Sequence, residues 1–203
     1  MTYKIYRLPH LLKIIMPQIN MKSVKKNLIQ FGFIPLVILF FSIFNLNAQQ
    51  LAFPTAKGAG AYTTGGRGGQ VIHVTTLDWA APGGLKEAIQ TQGPRIIVFD
   101  VSGEIDATSQ GYFEDIIIGS NYDNITIAGQ TAPNGGITIK TTYWLFDNID
   151  NIIIRYIRFR NTSIYNSSDS MWIKTATNVV LDHCTFSHGV DEAADLSYSL
   201  GSM

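Results

Sequence analysis

Cysteine is almost absent from this chain of 203 residues, which contains one, Cys184. An internal disulfide is therefore excluded, and packing must hold the fold together. Charge is also scarce, since charged residues make up 15% of the sequence and the 15 basic side chains balance the 15 acidic ones. Without a basic excess, a nucleic-acid partner is not expected. Glycine is plentiful, with 18 residues, and this composition is more typical of strands and turns than of helices.

The first 48 residues have the pattern of a secretory signal peptide. Residues 21–26 carry three lysines, and residues 31–46 form an apolar stretch that Pro35 interrupts. A small residue, Ala48, then ends a short polar segment, so cleavage is predicted after Ala48. The protein is expected to be secreted or periplasmic. Its mature part, residues 49–203, is long enough to enclose one core.

A membrane anchor is the alternative reading of this segment. The apolar stretch is short for a span of about 20 residues and contains a proline, so no membrane contact is expected after cleavage. Met21 resembles the true start of the chain, and residues 1–20 then form an upstream extension.

A repeated strand pattern predicts the architecture. The segments NITI at 124–127, NIII at 151–154 and NVVL at 178–181 start 27 residues apart each time (151−124 and 178−151). This interval is called the repeat step below. Short β-branched runs at a fixed period, each preceded by a turn, are typical of a parallel β-helix. The three asparagines are expected to stack as a hydrogen-bonded ladder. Such a fold offers a long groove that suits a polymer.

The mature chain divides into a cap region at residues 49–94 and β-helix rungs at residues 95–203. In the cap region a strand is predicted at Gln70–Val74, and a short helix at residues 85–89 is expected to cover the open end of the core. Further strands are predicted at residues 96–99, 101–105, 116–118, 125–127, 137–139, 152–154, 171–173 and 179–181.

The repeat step also predicts which side chains stack. It places Phe159 over Phe186 and Ile157 over Cys184, so Cys184 is expected to be a small buried residue. The same step places Arg155 beside Asp182 as a structural pair.

Glycine-rich segments at residues 57–60 and 65–69 could suggest a phosphate-binding loop. They have neither the GxGxxG spacing between a strand and a helix nor a terminal Gly-Lys-Ser/Thr. A tight-turned cap loop is predicted instead.

Acidic residues near the end of the chain are the strongest candidates for a functional site. The interval from Asp169 to Asp195 is one position shorter than the repeat step, so the two are expected on neighbouring rungs. Asp191 precedes the second rung. Carboxylates from two rungs can surround one ion, and ligands that are all oxygen favour Ca²⁺. An ordinary solvated acidic turn is the alternative.

Other chemistries receive less support. His183 and His188 are near each other in sequence but lie on a strand and in a turn, and no further ligand completes a zinc set. The sequence contains no GxSxG segment, so a serine hydrolase is not indicated. A pair of acids for glycoside hydrolysis remains open among Asp169, Asp191, Glu192 and Asp195.

Arg158 and Arg160 are predicted to face outward, because they alternate with apolar residues on one strand. They could bind an acidic sugar chain. A solvated outer face with aspartate partners is the alternative.

Several motifs together resemble a known family. They are AFP at 52–54, TTGGRGG at 63–69, IVFDVSG at 97–103, ITIAGQTAP at 125–133, IRYIRFR at 154–160 and LDHCTFS at 181–187. In this order they resemble the secreted pectate lyases of polysaccharide lyase family 1, over about residues 52–195. The resemblance implies an all-β, right-handed parallel β-helix, a monomer that acts on pectate outside the cell, and a requirement for calcium.

The resemblance also implies roles for individual residues. Asp169 matches the acidic residue that opens one calcium-binding rung, and Asp191 and Asp195 match the two on the next. A further aspartate, common two positions before the first, is replaced by Ser167, and Glu192 is a candidate substitute. The implied reaction is β-elimination, in which a base removes the proton on C5 and the glycosidic oxygen leaves from C4.

The chain also departs from the family at the catalytic base. The family's base is an arginine on a later rung, and the sequence ends at Met203 before that rung. None of Arg155, Arg158 and Arg160 matches its motif. The chain is therefore expected to be the N-terminal part of a lyase, truncated and inactive by itself, with its catalytic residue unknown. A non-catalytic β-helix that binds acidic polysaccharide and a β-helical glycoside hydrolase are the alternatives.

Overall fold

The computed structural model describes residues 49–109, 112–113, 115–141, 143–161 and 169–197. The predicted signal peptide at residues 1–48 lies outside these ranges and stays a prediction, as does the division into regions. None of the helices within the described ranges is long and apolar enough to be a membrane span.

Short strands make up most of the described chain. In order, the elements are β1 (Gln70–Val74), α1 (Leu85–Gln90), β2 (Arg95–Phe99), β3 (Gly103–Asp106), β4 (Thr108–Ser109), β5 (Tyr112–Phe113), β6 (Asp115–Ile118), β7 (Ile125–Ala128), β8 (Ile137–Thr141), β9 (Tyr143–Arg155), β10 (Ile157–Asn161), β11 (Met171–Asp182), β12 (Thr185–Ser187) and β13 (Asp195–Ser197).

The strands form three faces, called A, B and C, and neighbouring strands within each face run parallel. Face A contains β1, β2, β7 and the second halves of β9 and β11. Face B contains β3, β8, β10 and β12. Face C contains β6, the first halves of β9 and β11, and β13. Each coil runs from face C to face A to face B, and the prediction of an all-β parallel β-helix is confirmed.

Strands β9 and β11 are longer than the sequence predicts. The separate strands expected at residues 171–173 and 179–181 form one strand of 12 residues, and β9 has 13. The prediction of two strands with a turn between them was wrong. In β11, Thr175 and Asn178 adopt left-handed backbone angles, with φ of 48° and 51°, so the strand turns a corner while its ladder continues.

Apolar side chains of the three faces meet in one core. Trp144, Phe146 and Phe159 are almost fully buried, and the rings of Trp144 and Phe159 meet edge to face with their centroids 5.1 Å apart. Phe159 stacks on Phe186 with centroids 5.2 Å apart, as the repeat step predicts. Cys184 is partly buried at the edge of this core, and burial raises the pKa of its thiol.

Asparagine makes the corner between faces C and A. Asn124, Asn151 and Asn178 have φ of 59°, 67° and 51°, a left-handed conformation that asparagine tolerates better than most residues. The amide of Asn151 donates to Oδ1 of Asn124 at 2.6 Å. The predicted ladder stops there, because Asn178 donates to Oδ1 of Asp150 instead, at 2.8 Å.

The glycine-rich segment of residues 51–69, called the strap below, lies along face A. Oδ1 of Asn151 accepts hydrogen bonds from the backbone N–H groups of Thr64 and Gly65, at 2.9 and 2.8 Å. A Cβ atom on Gly66 would lie 1.8 Å from the carbonyl oxygen of Arg95, so only glycine fits this contact. The predicted cap loop is therefore in contact with the side of the coils.

A buried arginine joins helix α1 to the coils. Arg95 is 0% exposed, and its guanidinium donates to the carbonyl oxygens of Ala88 and Ile89 at 3.3 and 2.7 Å. It also donates to the carbonyls of Tyr122 and Asp123, which lead into β7. Burial lowers the pKa of Arg95. The bonds satisfy carbonyls at the end of α1 that the helix leaves free.

Arg155 and Asp182 form the pair that the repeat step predicts. Nε and Nη2 of Arg155 lie 2.7 and 2.6 Å from Oδ2 of Asp182. The guanidinium also lies 3.8 Å from the ring centre of Phe53 in the strap, and Nδ1 of His183 lies 2.9 Å from Oδ1 of Asp182. Burial raises the pKa of the Asp182 carboxyl, but hydrogen bonds from His183 and Arg155 outweigh it and hold that pKa below its ordinary value.

Replacing Asn151 should destabilise the protein more than replacing Asn178. Asn151→Ala removes five hydrogen bonds and leaves alanine in a left-handed conformation, so a loss of about 2–4 kcal/mol in unfolding free energy is expected. Asn178→Ala is the matched control, since Asn178 has a similar φ but is exposed and donates one hydrogen bond, and a smaller loss of about 1–2 kcal/mol, mainly backbone strain, is expected. Urea unfolding measures both, and equal losses would contradict the role of Asn151 as the anchor of the strap.

The Asp182 carboxylate should stabilise the protein at neutral pH and lose this effect in acid. Its folded pKa is depressed, so the stabilisation is complete above the unfolded value of about 3.9 and declines as the pH falls through the folded value. We expect Asp182→Asn to cost about 1–3 kcal/mol at pH 7 and progressively less below about pH 4.

Asp100→Asn is the control for this experiment. The Asp100 carboxylate pairs with His73 at 2.9 Å, but its side chain is 51% exposed, so an effect below about 1 kcal/mol is expected at pH 7. Urea unfolding curves of the wild type and both variants, recorded from pH 7 to pH 3, measure these differences in unfolding free energy. A gap between wild type and Asp182→Asn that stays constant from pH 7 to pH 3 would show that its ionisation does not stabilise the fold.

Candidate cation site on face C

Three carboxylates come together beside face C, from Asp169, Glu192 and Asp195. One oxygen of each lies within 4.8 Å of the others. Asp169 precedes β11 and Asp195 is the first residue of β13, so the cluster joins two successive coils. Asp169 and Asp195 are half-buried and Glu192 is exposed, which leaves the cluster open to a ligand.

Backbone contacts fix the relation between Asp169 and Glu192. The N–H of Glu192 donates to Oδ1 of Asp169 at 2.9 Å, and the N–H of Ser170 donates to the carbonyl of Glu192 at 3.3 Å. A Cβ atom on Gly189 would lie 1.8 Å from the Glu192 carbonyl oxygen. The turn that presents Glu192 therefore requires glycine at position 189.

Buried polar groups hold Asp169 where face B leads into face C. Nδ2 of Asn161, at the end of β10, donates to the carbonyl of Asp169 at 3.2 Å. The hydroxyl of Ser170 donates to the carbonyl of Ser187 in β12 at 2.7 Å. Asn161 and Ser170 are 4% and 1% exposed. Because buried polar groups require partners, these bonds limit the movement of Asp169.

The coil between Asp169 and Asp195 is shorter than the repeat step predicts. Trp172 lies opposite Asp195, which is 23 positions later in the chain (195−172). This interval is four positions shorter than the repeat step of 27. The residue that bonds to Asp169 from the next coil is consequently Glu192, and Asp195 lies further along face C. Asp169 and Asp195 therefore lie on neighbouring coils, as the sequence predicts, but they do not pair with each other in the ladder, although their carboxylates still meet.

Asp191 is the predicted ligand that the structure does not bring into the cluster. It is exposed, and the cluster contains Glu192 instead. The family resemblance assigns Asp191 as a ligand and gives Glu192 only as a candidate substitute for the ligand missing at position 167. Ser167, the residue expected to lack a ligand group, lies outside the described residues.

The cluster has the chemistry of a site for a hard cation. Its donors are all carboxylate oxygens, which Ca²⁺ and Mg²⁺ prefer over nitrogen or sulfur ligands. Three negative charges within 4.8 Å repel one another, and a divalent cation between them would remove that repulsion. Residues Asp169, Glu192 and Asp195 therefore offer the donor chemistry that a hard divalent cation such as calcium prefers.

Arg158 and Arg160 lie on the outer surface of face B, apart from the acidic cluster. Arg158 donates to Oγ1 of Thr138 and to the carbonyl of Gly135, both at 2.7 Å. Arg160 donates to the carbonyls of Phe159 and Thr185, at 2.7 and 3.2 Å. Both side chains therefore bridge neighbouring coils, and each guanidinium, with five N–H donors, keeps others for a ligand.

His183 and His188 lie in separate environments. The ring of His183 stacks on Tyr156 with centroids 4.4 Å apart and bonds to Asp182. Nδ1 of His188 lies 2.7 Å from the hydroxyl of Ser187. The structure thus gives each ring a local partner.

Known proteins with similar sequences are pectate lyases by name. The protein named "Probable pectate lyase C" from Aspergillus flavus is 37% identical over 164 residues, which cover 80% of this chain and 37% of that protein. The protein of the same name from Emericella nidulans is 41% identical over 148 residues, 72% of this chain and 33% of that protein. The chain thus spans about one third of the length of these relatives.

Comparisons with family models and with solved structures show less similarity. No family model matches the sequence. The crystal structure of Jun a 1, the major allergen from cedar pollen, superposes with a TM-score of 0.48 at 17% identity, over 63% of this chain and 41% of that one. The sequence identity to the named relatives therefore carries the comparison with known proteins. Over 80% of its residues, this chain is homologous to a protein named as a probable pectate lyase.

Proposed function

We propose that the protein is a secreted, calcium-dependent pectate lyase, which cleaves polygalacturonate by β-elimination. The observation that supports this most is a three-carboxylate cluster, open to solvent, in a chain homologous to pectate lyases. Secretion follows from the predicted cleavage after Ala48, and we expect a monomer. The acidic substrate is inferred from the names of the relatives.

Calcium, when bound, would neutralise a uronate carboxylate and acidify the adjacent proton on C5. The residues of this chain provide a preorganised place for the ion. Asp169 is held by the Glu192 N–H and by Asn161, and Asp195 is held in the ladder of β13. Since Asp169 and Asp195 belong to the coils and Glu192 to a turn, Glu192 is the ligand best able to adjust to an incoming ion.

The base that removes the proton is assigned to none of the described residues. Arg158 and Arg160 lie on face B, Arg155 pairs with Asp182, and Arg95 is buried. This arrangement favours one second candidate, calcium-dependent binding of acidic polysaccharide without cleavage.

The identity of the product separates the candidate functions. The protein is incubated with polygalacturonate in calcium or in EDTA, and the ultraviolet absorbance of an unsaturated uronate and the number of new reducing ends are both measured. Unsaturated product that requires calcium supports the lyase. Reducing ends without unsaturation would indicate a glycoside hydrolase and contradict β-elimination. Calcium-dependent binding with no product supports the non-catalytic candidate.

Glu192 and Asp195 should contribute to calcium affinity, and Asp191 should not. We expect Glu192→Gln and Asp195→Asn each to weaken calcium binding by about tenfold or more, because each removes one charged ligand. Asp191→Asn removes the same charge from an exposed neighbour outside the cluster and should leave the affinity nearly unchanged. Calorimetric titration with calcium measures this. A loss in Asp191→Asn as large as in Glu192→Gln would contradict the assignment.

A further inference from the structure

An outward-facing row of residues on face C leads to the carboxylate cluster. Ile117 of β6 lies opposite Leu145 of β9, Leu145 lies opposite Trp172 of β11, and Trp172 lies opposite Asp195 of β13. Their neighbours Ile116, Trp144 and Met171 are buried, so strand alternation directs the row outward. Ile117, Leu145 and Trp172 are called the face C stripe below.

The stripe is an apolar surface that ends at charged groups. Ile117 is 58% exposed, and Leu145 and Trp172 are half-buried. Neighbouring coils are about 4.8 Å apart, so the distance from Ile117 to Asp195 along the stripe is about 14 Å. At the end remote from Asp195, Ile117 also lines a cavity of about 430 Å³ with Trp79 and Tyr122.

Trp172 is held in place, and a cation lies next to it. Its indole N–H donates to the hydroxyl of Ser197. The ammonium group of Lys174 lies 5.4 Å from the centre of the Trp172 ring and 3.6 Å from Oδ2 of Asp147. The side chain of Lys174 is 43% exposed, so its loose ion pair is open to exchange for another carboxylate.

The other two faces are less suited to an acidic sugar chain. The strap covers part of face A through Gly65, Gly66 and Asn151. On face B, Lys140 is 30% exposed and lies 2.6 Å from a Glu104 oxygen and 3.7 Å from an Asp106 oxygen, so its charge is engaged more tightly than that of Lys174. Arg158 and Arg160 are partly engaged by neighbouring coils.

We propose that Trp172 and Lys174 form a subsite for one uronate residue next to the carboxylate cluster, and that the rest of the face C stripe continues this track. A pyranose ring has an apolar C–H face that matches the indole surface, and its carboxylate would pair with Lys174. The inference rests on the proposed function, which supplies the acidic polysaccharide. It adds two residues that determine specificity: Trp172 for the sugar ring and Lys174 for its charge.

Tryptophan fluorescence tests this in the wild-type protein. The sequence has three tryptophans; Trp79 and Trp144 are 4% and 0% exposed, so acrylamide should quench mainly Trp172. With calcium present, we expect saturating trigalacturonate to reduce the fraction that acrylamide quenches. An unchanged quenchable fraction at a concentration where calorimetry shows binding would overturn the subsite.

Substitutions separate the two roles. We expect Trp172→Leu to weaken trigalacturonate binding about tenfold, the scale of one lost aromatic contact, without changing calcium affinity. Lys174→Gln should weaken trigalacturonate binding but leave the weak binding of a neutral galactose trisaccharide unchanged. Lys140→Gln on face B is the matched control and should have little effect, because Lys140 is already paired with Glu104. Arg158→Gln tests the alternative that face B binds the acidic chain, and a strong loss in Arg158→Gln with none in Trp172→Leu would overturn the proposal.

Failure of this proposal is distinguishable from failure of the proposed function. If trigalacturonate does not bind to the wild-type protein in calcium, the proposed function itself is contradicted. If trigalacturonate binds but neither protects Trp172 nor depends on Lys174, the lyase or binding function stands and the face C subsite is rejected. Calcium titration of each variant verifies that the cluster is intact.

Discussion

The corner between faces C and A is the constraint on which the rest of the structure depends. Each coil must change direction there without losing its parallel ladder, and asparagine in a left-handed conformation allows this at positions 124, 151 and 178. Such a conformation costs about 1–2 kcal/mol for most residues. At Asn151 five hydrogen bonds offset the cost and attach the strap. The corner fixes face C relative to face A.

The three faces divide the surface among different tasks. Face A is partly occupied by the strap, whose Gly66 contacts the backbone at Arg95. Face B carries polar side chains that bridge coils, such as Arg158 bonded to Thr138. Face C presents Trp172, Lys174 and the carboxylate cluster on one surface. A carboxylate cluster, an aromatic ring and a basic side chain on one surface would suit an acidic sugar chain better than a neutral one, if the cluster holds a cation as proposed.

The sequence predicts where the strands of each coil lie, but it predicts the number of residues per coil poorly. β-branched runs identify the strands, and the repeat step is correct between β9 and β11 and between β10 and β12. The interval is shorter where Ile137 pairs with Ile157 and where Trp172 pairs with Asp195, because turn lengths vary. This variation explains why Glu192, and not Asp191, reaches Asp169. The contact between Asn151 and the strap joins segments far apart in the chain, which local patterns do not encode.

Terbium luminescence would test the central claim, that a cation binds beside Trp172, most directly. Terbium replaces calcium at carboxylate sites and emits when a nearby indole transfers energy to it. The structure predicts sensitised emission that calcium abolishes by competition, that falls when Trp172 is replaced by leucine, and that is lost when Asp169 and Glu192 are both neutralised. Emission that is absent, or that persists in the Asp169→Asn/Glu192→Gln double variant, would contradict the account.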